Sequence, residues 1–355
     1  MGRLSRVGAL LSVCALGTTL SISSPAAAAG PVRLGSPPAV PGTAHMAGAL
    51  ATSTPMHITV ALQSQNAAGL AAFAEEVSTP GSPLYRRYIT PAEFAKRFGA
   101  RHDAVQAVES SLRAHGLAPG PASANSLSIP VTATAGQLSR AFSTSLARVA
   151  FASGKTAIVN QDAPAVDPGI AGDVQAVIGL DTLSTAKPLL VQSHRAAGAA
   201  TPHVVPATGG PEPCAAASSM GASMGGFTSD QIAAAYGLSG LYQSGDEGAG
   251  QTVAILELEP YDPNDIAAFD QCYGASTVPT NVTIDNGAGS GAGAGEAALD
   301  IENVIGLAPR AKIDVFEGPN SGDGPFDVMN AIISQRAAQV VTTSWGQCEE
   351  LEGIG

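Results

Sequence analysis

Residues 295–318 read "GEAALDIENVIGLAPRAKIDVFEG". Ala297, Ala298, Leu299, Ile301, Val304, Ile305 and Leu307 wrap much of a helix in apolar side chains, and "KIDVFEG" (312–318) reads as a strand. Glu296 and Asp300 interrupt this apolar surface four residues apart, so on a helix they share a face at about 6 Å. Most acidic pairs with this spacing are solvated surface. Here the neighbours are apolar, and burying like charges together is costly unless they share a proton or have a partner. A close carboxyl pair titrates as a unit, with one member held neutral longer. That supplies a base at low pH, where an imidazole would already be charged.

Outward from this stretch the pattern repeats. Upstream, "QTVAILELE" (251–259) is a near-continuous apolar run, as a strand buried on both faces requires. "YDPNDIAAFDQCYG" (261–274) predicts a helix with Asp262 as cap, Pro263 first, Asp265 third and Gly274 as the stop. "FTSDQIAAAYGLSGLY" (227–242) predicts a short helix capped at Ser229. Downstream, "FDVMNAIISQRAAQ" (326–339) reads as a helix and "VVTTSWG" (340–346) as a strand, with Trp345 taken as core packing. Strands alternating with helices imply an α/β fold, a parallel sheet flanked by helices, whose functional groups gather at the carboxyl ends of its strands. The glycines of "GAGSGAGAGE" (287–296) do not settle on dinucleotide-binding spacing and read as a loop. "SGDGPFD" (321–327) has too few regularly spaced oxygens for a calcium loop.

The preceding half reads differently. "PMHITVALQ" (55–63) alternates like a strand. "NAAGLAAFAEEVSTP" (66–80) is a helix ended by a turn. "GSPLYRRYITPAEFAKRFG" (81–99) contains a helix capped by Thr90, with Pro91 first and Glu93 third. "RHDAVQAVESSLRAHG" (101–116) is a further helix, and "SLSIPVTATAGQLSRAFSTSL" (126–146) reads as strand, helix, strand, with Leu138 and Phe142 on one helical face. "TAIVNQDAPAVDPGIAGDVQAVIGL" (156–180) closes an α+β domain.

Composition and charge bound the rest. The chain has 355 residues, 45% hydrophobic and 13% charged, enough for two or three domains. Residues 1–29 carry Arg3 and Arg6, then an apolar run, then an alanine-rich end, as in a secretory signal peptide cleaved near Ala29. The run is too short and too broken for a membrane span. Val13 before Cys14 is not the small residue that a lipoprotein site wants. The mature protein is therefore expected to be soluble and secreted, with no membrane partner. Cys214, Cys272 and Cys348 remain as disulfide candidates. The odd count means a free thiol or a partner beyond residue 355.

The net charge of −12 is unevenly spread. Up to Arg195 there are 14 Lys+Arg against 9 Asp+Glu; from Ala196 on there are 3 against 20. The break falls in the Ala-, Pro- and Gly-rich stretch 184–214, which reads as a linker. A basic half tethered to an acidic half suggests two parts that dock on each other and loosen as carboxylates are protonated. The cations form no stripe and have little aromatic interleaving, which argues against nucleic acid.

The phrases "STPGSPLYRRYITPAEFAKRFG" and "VIGLDTL" resemble the activation pro-domain of the sedolisin (kumamolisin-like) peptidases, over residues 56–183. "GEAALDIENVIGLAPRAKI" resembles that family's E-x-x-x-D-I-E and A-P-x-A-K-I segment. The resemblance implies an acid-acting serine-carboxyl peptidase of subtilisin-like fold. Glu296 is then the general base and Asp300 the carboxyl that hydrogen-bonds and orients it. "VVTTSWGQCEELEG" (340–353) resembles the family's S-W-G segment, with Glu350 where an oxyanion-stabilising Asp is usual; the longer acid is a departure, and that role is left unassigned. No G-T-S-x-S nucleophile segment precedes Gly355. The chain is accordingly read as a truncated zymogen, inactive as it stands: signal 1–29, N-terminal extension 30–55, pro-domain 56–183, linker 184–225, and the N-terminal part of the peptidase domain 226–355. The resemblance further implies a calcium site beyond residue 355, protein and peptide substrates, and the pro-domain as intramolecular inhibitor. A tripeptidyl-peptidase of the same family and an inactive binding or inhibitor protein are the alternatives. A retaining glycosidase fits poorly, because acids one turn apart would not flank a sugar bond.

Overall fold

A computed structural model describes residues 30–188, 207–224, 226–290, 295–336 and 338–346. The expected signal peptide, part of the linker, part of the glycine-rich loop, Cys348 and Glu350 lie outside these residues. Among the described residues, no helix is long and apolar enough to cross a membrane.

The N-terminal part comprises β1 (Val32–Arg33), β2 (Ala44–Ala49), β3 (Pro55–Leu62), α1 (Ala67–Ser78), α2 (Pro91–Arg97), α3 (His102–Ala114), β4 (Ser128–Thr134), α4 (Ala135–Ala141), β5 (Leu146–Phe151), β6 (Thr156–Asn160), β7 (Ala165–Val166) and β8 (Val174–Ile178). Two antiparallel three-stranded sheets, ordered β4-β3-β8 and β2-β5-β6, give the α+β architecture that the sequence implies. The segment read as an N-terminal extension contributes β1, paired with β7, and β2, paired with β5. Thr90 caps α2 by accepting from the Glu93 N–H, with Pro91 in the first turn. Leu138 and Phe142 are both buried, as their shared face requires. Along β3, Met56, Ile58, Val60 and Leu62 enter the main core with Val105, Val108 and Leu112 of α3. The period-2 pleat therefore turns His57 and Thr59 to the opposite face.

The C-terminal part continues with β9 (Lys187–Pro188), α5 (Ala215–Met224), α6 (Ser229–Ala235), α7 (Ser239–Gln243), β10 (Thr252–Glu257), α8 (Pro263–Tyr273), β11 (Thr280–Thr283), α9 (Glu296–Leu307), β12 (Lys312–Glu317), α10 (Gly324–Gln335), β13 (Val340–Thr342) and β14 (Trp345–Gly346). Strands β11-β12-β10-β13 form one all-parallel sheet. Its two faces are covered as the apolar run of β10 demands. Val253 and Ile255 pack with Ile266 of α8 and Ile301 and Ile305 of α9. Ala254 and Leu256 pack on the other side with Val328 and Ile332 of α10. Helix α8 is capped by Asp262 and stopped by Gly274 in the left-handed conformation, as read from sequence. Strand β11 had no sequence signal strong enough to place it. Helix α6 is capped one residue earlier than expected, at Thr228, whose N–H donates to Gln231. Ser229 is instead buried against Gly306 of α9, where a β-carbon would collide with its hydroxyl. A disulfide joins Cys214 to Cys272, tying the segment before α5 to α8.

Candidate active site

Carboxyl groups converge where β10 ends and α9 begins. The strand delivers Glu257 at its last position, fully buried, and Glu259 two residues on, 8% exposed. The helix delivers Glu296 at its first position, 2% exposed, and Asp300 one turn later, half-buried. The N-cap of α9 is Gly295, which has no side chain to satisfy the first helical N–H groups. Glu259 does this: one carboxylate oxygen accepts from the Glu296 N–H at 2.7 Å and the Ala297 N–H at 3.3 Å. A carboxylate at a helix N-terminus is also favoured by the helix dipole.

Asp300 Oδ1 accepts from the Ser344 hydroxyl at 2.7 Å. Glu257 Oε2 accepts from the Trp345 indole N–H at 2.8 Å. Glu257 and Asp300 lie near enough to act on each other's charge, and with both ionised, Glu257 Oε1 and Asp300 Oδ2 are buried without a partner. A proton on one of the two resolves this. Burial is the main reason that Glu257 is pushed up to about 8, and the nearby Asp300, Glu259 and Glu296 act in the same direction against the Trp345 hydrogen bond. Glu257 therefore supplies that proton through acid and neutral conditions. Burial also raises Asp300, while the hydrogen bonds from Ser344 and Glu257 counteract it.

The structure thus places both sequence-derived residues, Glu296 and Asp300, at the carboxyl end of the parallel sheet. The family resemblance implies Glu296 as the partner of Asp300; Ser344 and Glu257 act on Asp300 without any signal in the local sequence. Glu259 and the polar role of Trp345 were missed as well. Trp345 does pack against the core beside α10, but its indole also bonds Glu257. A signal for Glu257 was present: a carboxylate at the end of a doubly buried strand is costly and so marks a functional position.

A second grouping, His57, Asp285 and Asp327, brings donor atoms within 4.8 Å of one another, close enough to suggest a metal. Without a metal, His57 is raised to about 9, chiefly by its hydrogen bond to Asp323, so the group reads as an ion-pair cluster.

Comparison with known proteins bears on the family. Residues 43–183 match the family described as Pro-kumamolisin, activation domain. This match and the relatives that follow support a sedolisin-family peptidase precursor. It is 30% identical to xanthomonalisin of Xanthomonas sp. (strain T-22) over 317 residues, 85% of this chain and 36% of that protein. It is 27% identical to sedolisin of Pseudomonas sp. (strain 101), over 84% of this chain and 49% of that protein. With kumamolisin of Bacillus sp. (strain MN-32) the identity is again 27%, over 82% of this chain and 51% of that protein. The chain therefore spans between about a third and a half of these relatives. The matched region begins at residue 43, thirteen residues before residue 56 and next to the start of β2.

Proposed function

We propose that this chain is the N-terminal portion of a secreted, acid-acting serine-type endopeptidase precursor, with a peptidase domain of subtilisin-like fold and unfolded protein as substrate. Glu296 is the general base that takes the proton of a serine hydroxyl lying outside these residues, and Asp300 orients it. The observation that carries this reading is the buried carboxyl cluster at the end of the parallel sheet, held by Ser344 and Trp345. General-base work in acid requires a carboxylate that stays ionised. Burial raises Asp300 overall, and the bonds from Ser344 and Glu257 oppose that rise. A structural calcium ion, held by residues beyond 355, belongs to the same proposal.

The activation domain acts as an intramolecular inhibitor. In support, the chain just past it, Lys187–Pro188, pairs antiparallel with Trp345–Gly346, adjoining the residues that bind Glu257 and Asp300. Asn320 donates to the Ala186 carbonyl at 2.9 Å and holds the same segment. Strand addition of this kind occupies an edge that a peptide would use. The test uses the full-length protein, held at neutral pH and then shifted to about pH 4, where a glutamate near its ordinary pKa is partly ionised. Self-cleavage within 184–214 is expected, and Glu296→Gln abolishes it. An intact protein that never cleaves would overturn the proposal.

A further inference from the structure

We infer that His57 is a charge clamp that holds the activation domain on the peptidase portion through neutral and mildly acidic conditions, yielding only when the aspartates around it lose their charge. The inference deepens the zymogen reading above and rests on it for its biological meaning.

His57 and Thr59 lie on the outward face of β3, which is turned toward α10. His57 Nδ1 is 2.9 Å from Asp323 and 3.5 Å from Asp327, and Nε2 is 3.9 Å from Asp285. Asp323 is the N-cap residue of α10, Asp327 lies in its first turn, and Asp285 follows β11. Asp285, Asp323 and Asp327 are the charged groups that act on the ring, and all come from the C-terminal part. The Thr59 hydroxyl donates to Asp327 at 3.0 Å. Nearby contacts between the two parts are neutral: Asn125 donates to Asn330 at 3.3 Å, and Asn330 donates to the Ser128 hydroxyl at 2.8 Å. Among the described residues, one cation therefore faces three carboxylates beside these neutral asparagine contacts.

A lone histidine at an interface would be expected to switch near pH 6.5. The surrounding charges reverse that. With His57 raised to about 9, its contribution is fully present below 6.5 and is lost as pH climbs through 9. Asp327 is raised to about 7, first by burial and then by Asp323, so its ionised form opposes docking and its protonation below 7 favours it. Both effects tighten the clamp between neutrality and mild acid. Release therefore needs loss of the remaining carboxylate charge, at a pH below the window in which both effects tighten the contact. The clamp gives the precursor an acid threshold instead of a gradual loosening.

The test cuts the full chain at a site inserted in 189–206 and follows docking of the two pieces by size-exclusion chromatography from pH 3.5 to 9.5. The wild type is expected to stay together at pH 5.5 and 7.5 and to separate at 3.5. His57→Leu is expected to dock at least tenfold more weakly at pH 7.5, with a ceiling there of roughly 30-fold from the histidine shift. It should then regain affinity at pH 5.5, because Asp327 is discharged below about 7. Unchanged docking of His57→Leu at pH 7.5, or separation of the wild type already at pH 6, would overturn the clamp. NMR titration of the His57 ring in the uncut chain is a check that needs no destabilising variant. A transition near 9, falling toward 6.5 in Asp323→Asn, supports it, and a wild-type transition near 6.5 refutes it. No step reads peptide hydrolysis, so the outcome is independent of whether Glu296 is the base.

Discussion

Glu257→Gln isolates the cost of keeping a carboxyl group buried inside the cluster. Glutamine fills the same space, can still accept from the Trp345 indole, and carries an N–H that can reach Asp300 Oδ2, so neither a cavity nor an orphaned atom results. Glu257 titrates near 8 in the folded chain against an ordinary value of 4.5. Between these values the native state binds more protons than the unfolded chain, so stability falls as pH rises through the window and is regained below 4.5. For a single group with these values the loss between pH 5 and 8 is about 3 kcal/mol. Because the side chain is fully buried, solvent screening does not reduce this much. Glu302, raised to about 7 by burial and by Asp265, adds a slope of the same sign. The assay is urea unfolding at pH 5, 6.5 and 8, followed by the fluorescence of Trp345, the single tryptophan, and by circular dichroism. Wild-type stability is expected to drop toward pH 8, and Glu257→Gln to drop by about 3 kcal/mol less, making the variant the more stable protein at pH 8. Equal pH dependence in the two proteins would show that Glu257 is not protonated in the fold, and the account of a proton on Glu257 beside Asp300 would be wrong.

Two further perturbations test how the site is supported. Replacing Cys214 and Cys272 together by Ser opens a closure spanning 58 residues, for which chain entropy sets a ceiling of about 4 kcal/mol; a loss under 1 kcal/mol in urea unfolding would show that the unfolded chain is not constrained by this bond. Glu259→Ala should cost about 1–2 kcal/mol by uncapping α9, whereas Glu259→Gln keeps an acceptor oxygen and should cost less than half of that; equal melting temperatures for the two variants would contradict the capping role.

Local chemistry made much of this protein legible in advance. Caps such as Thr90 and Asp262, the left-handed stop at Gly274, and the alternation of β3 act over a few residues, so the sequence alone determined those helices and that strand. The continuous apolar run of β10 likewise announced a sheet covered on both faces. The apolar wrapping of α9 drew attention to Glu296 and Asp300. Weak edge elements were not legible: β2 and β11 are strands because β5 and β12 offer them partners, not because their residues demand it. The cap of α6 moved to Thr228 because Ser229 was needed against Gly306, a contact between residues 77 positions apart in the chain.

What tertiary structure decided is which charges meet. Glu257 joins Asp300 and Trp345 across 43 and 88 residues, and His57 reaches Asp323 across 266. Spacing along the chain cannot report such pairs, because they depend on strand order in the sheet and on how α10 packs. Nor can it report their protonation, since burial and neighbouring charge set the proton's position only after the chain has closed around it.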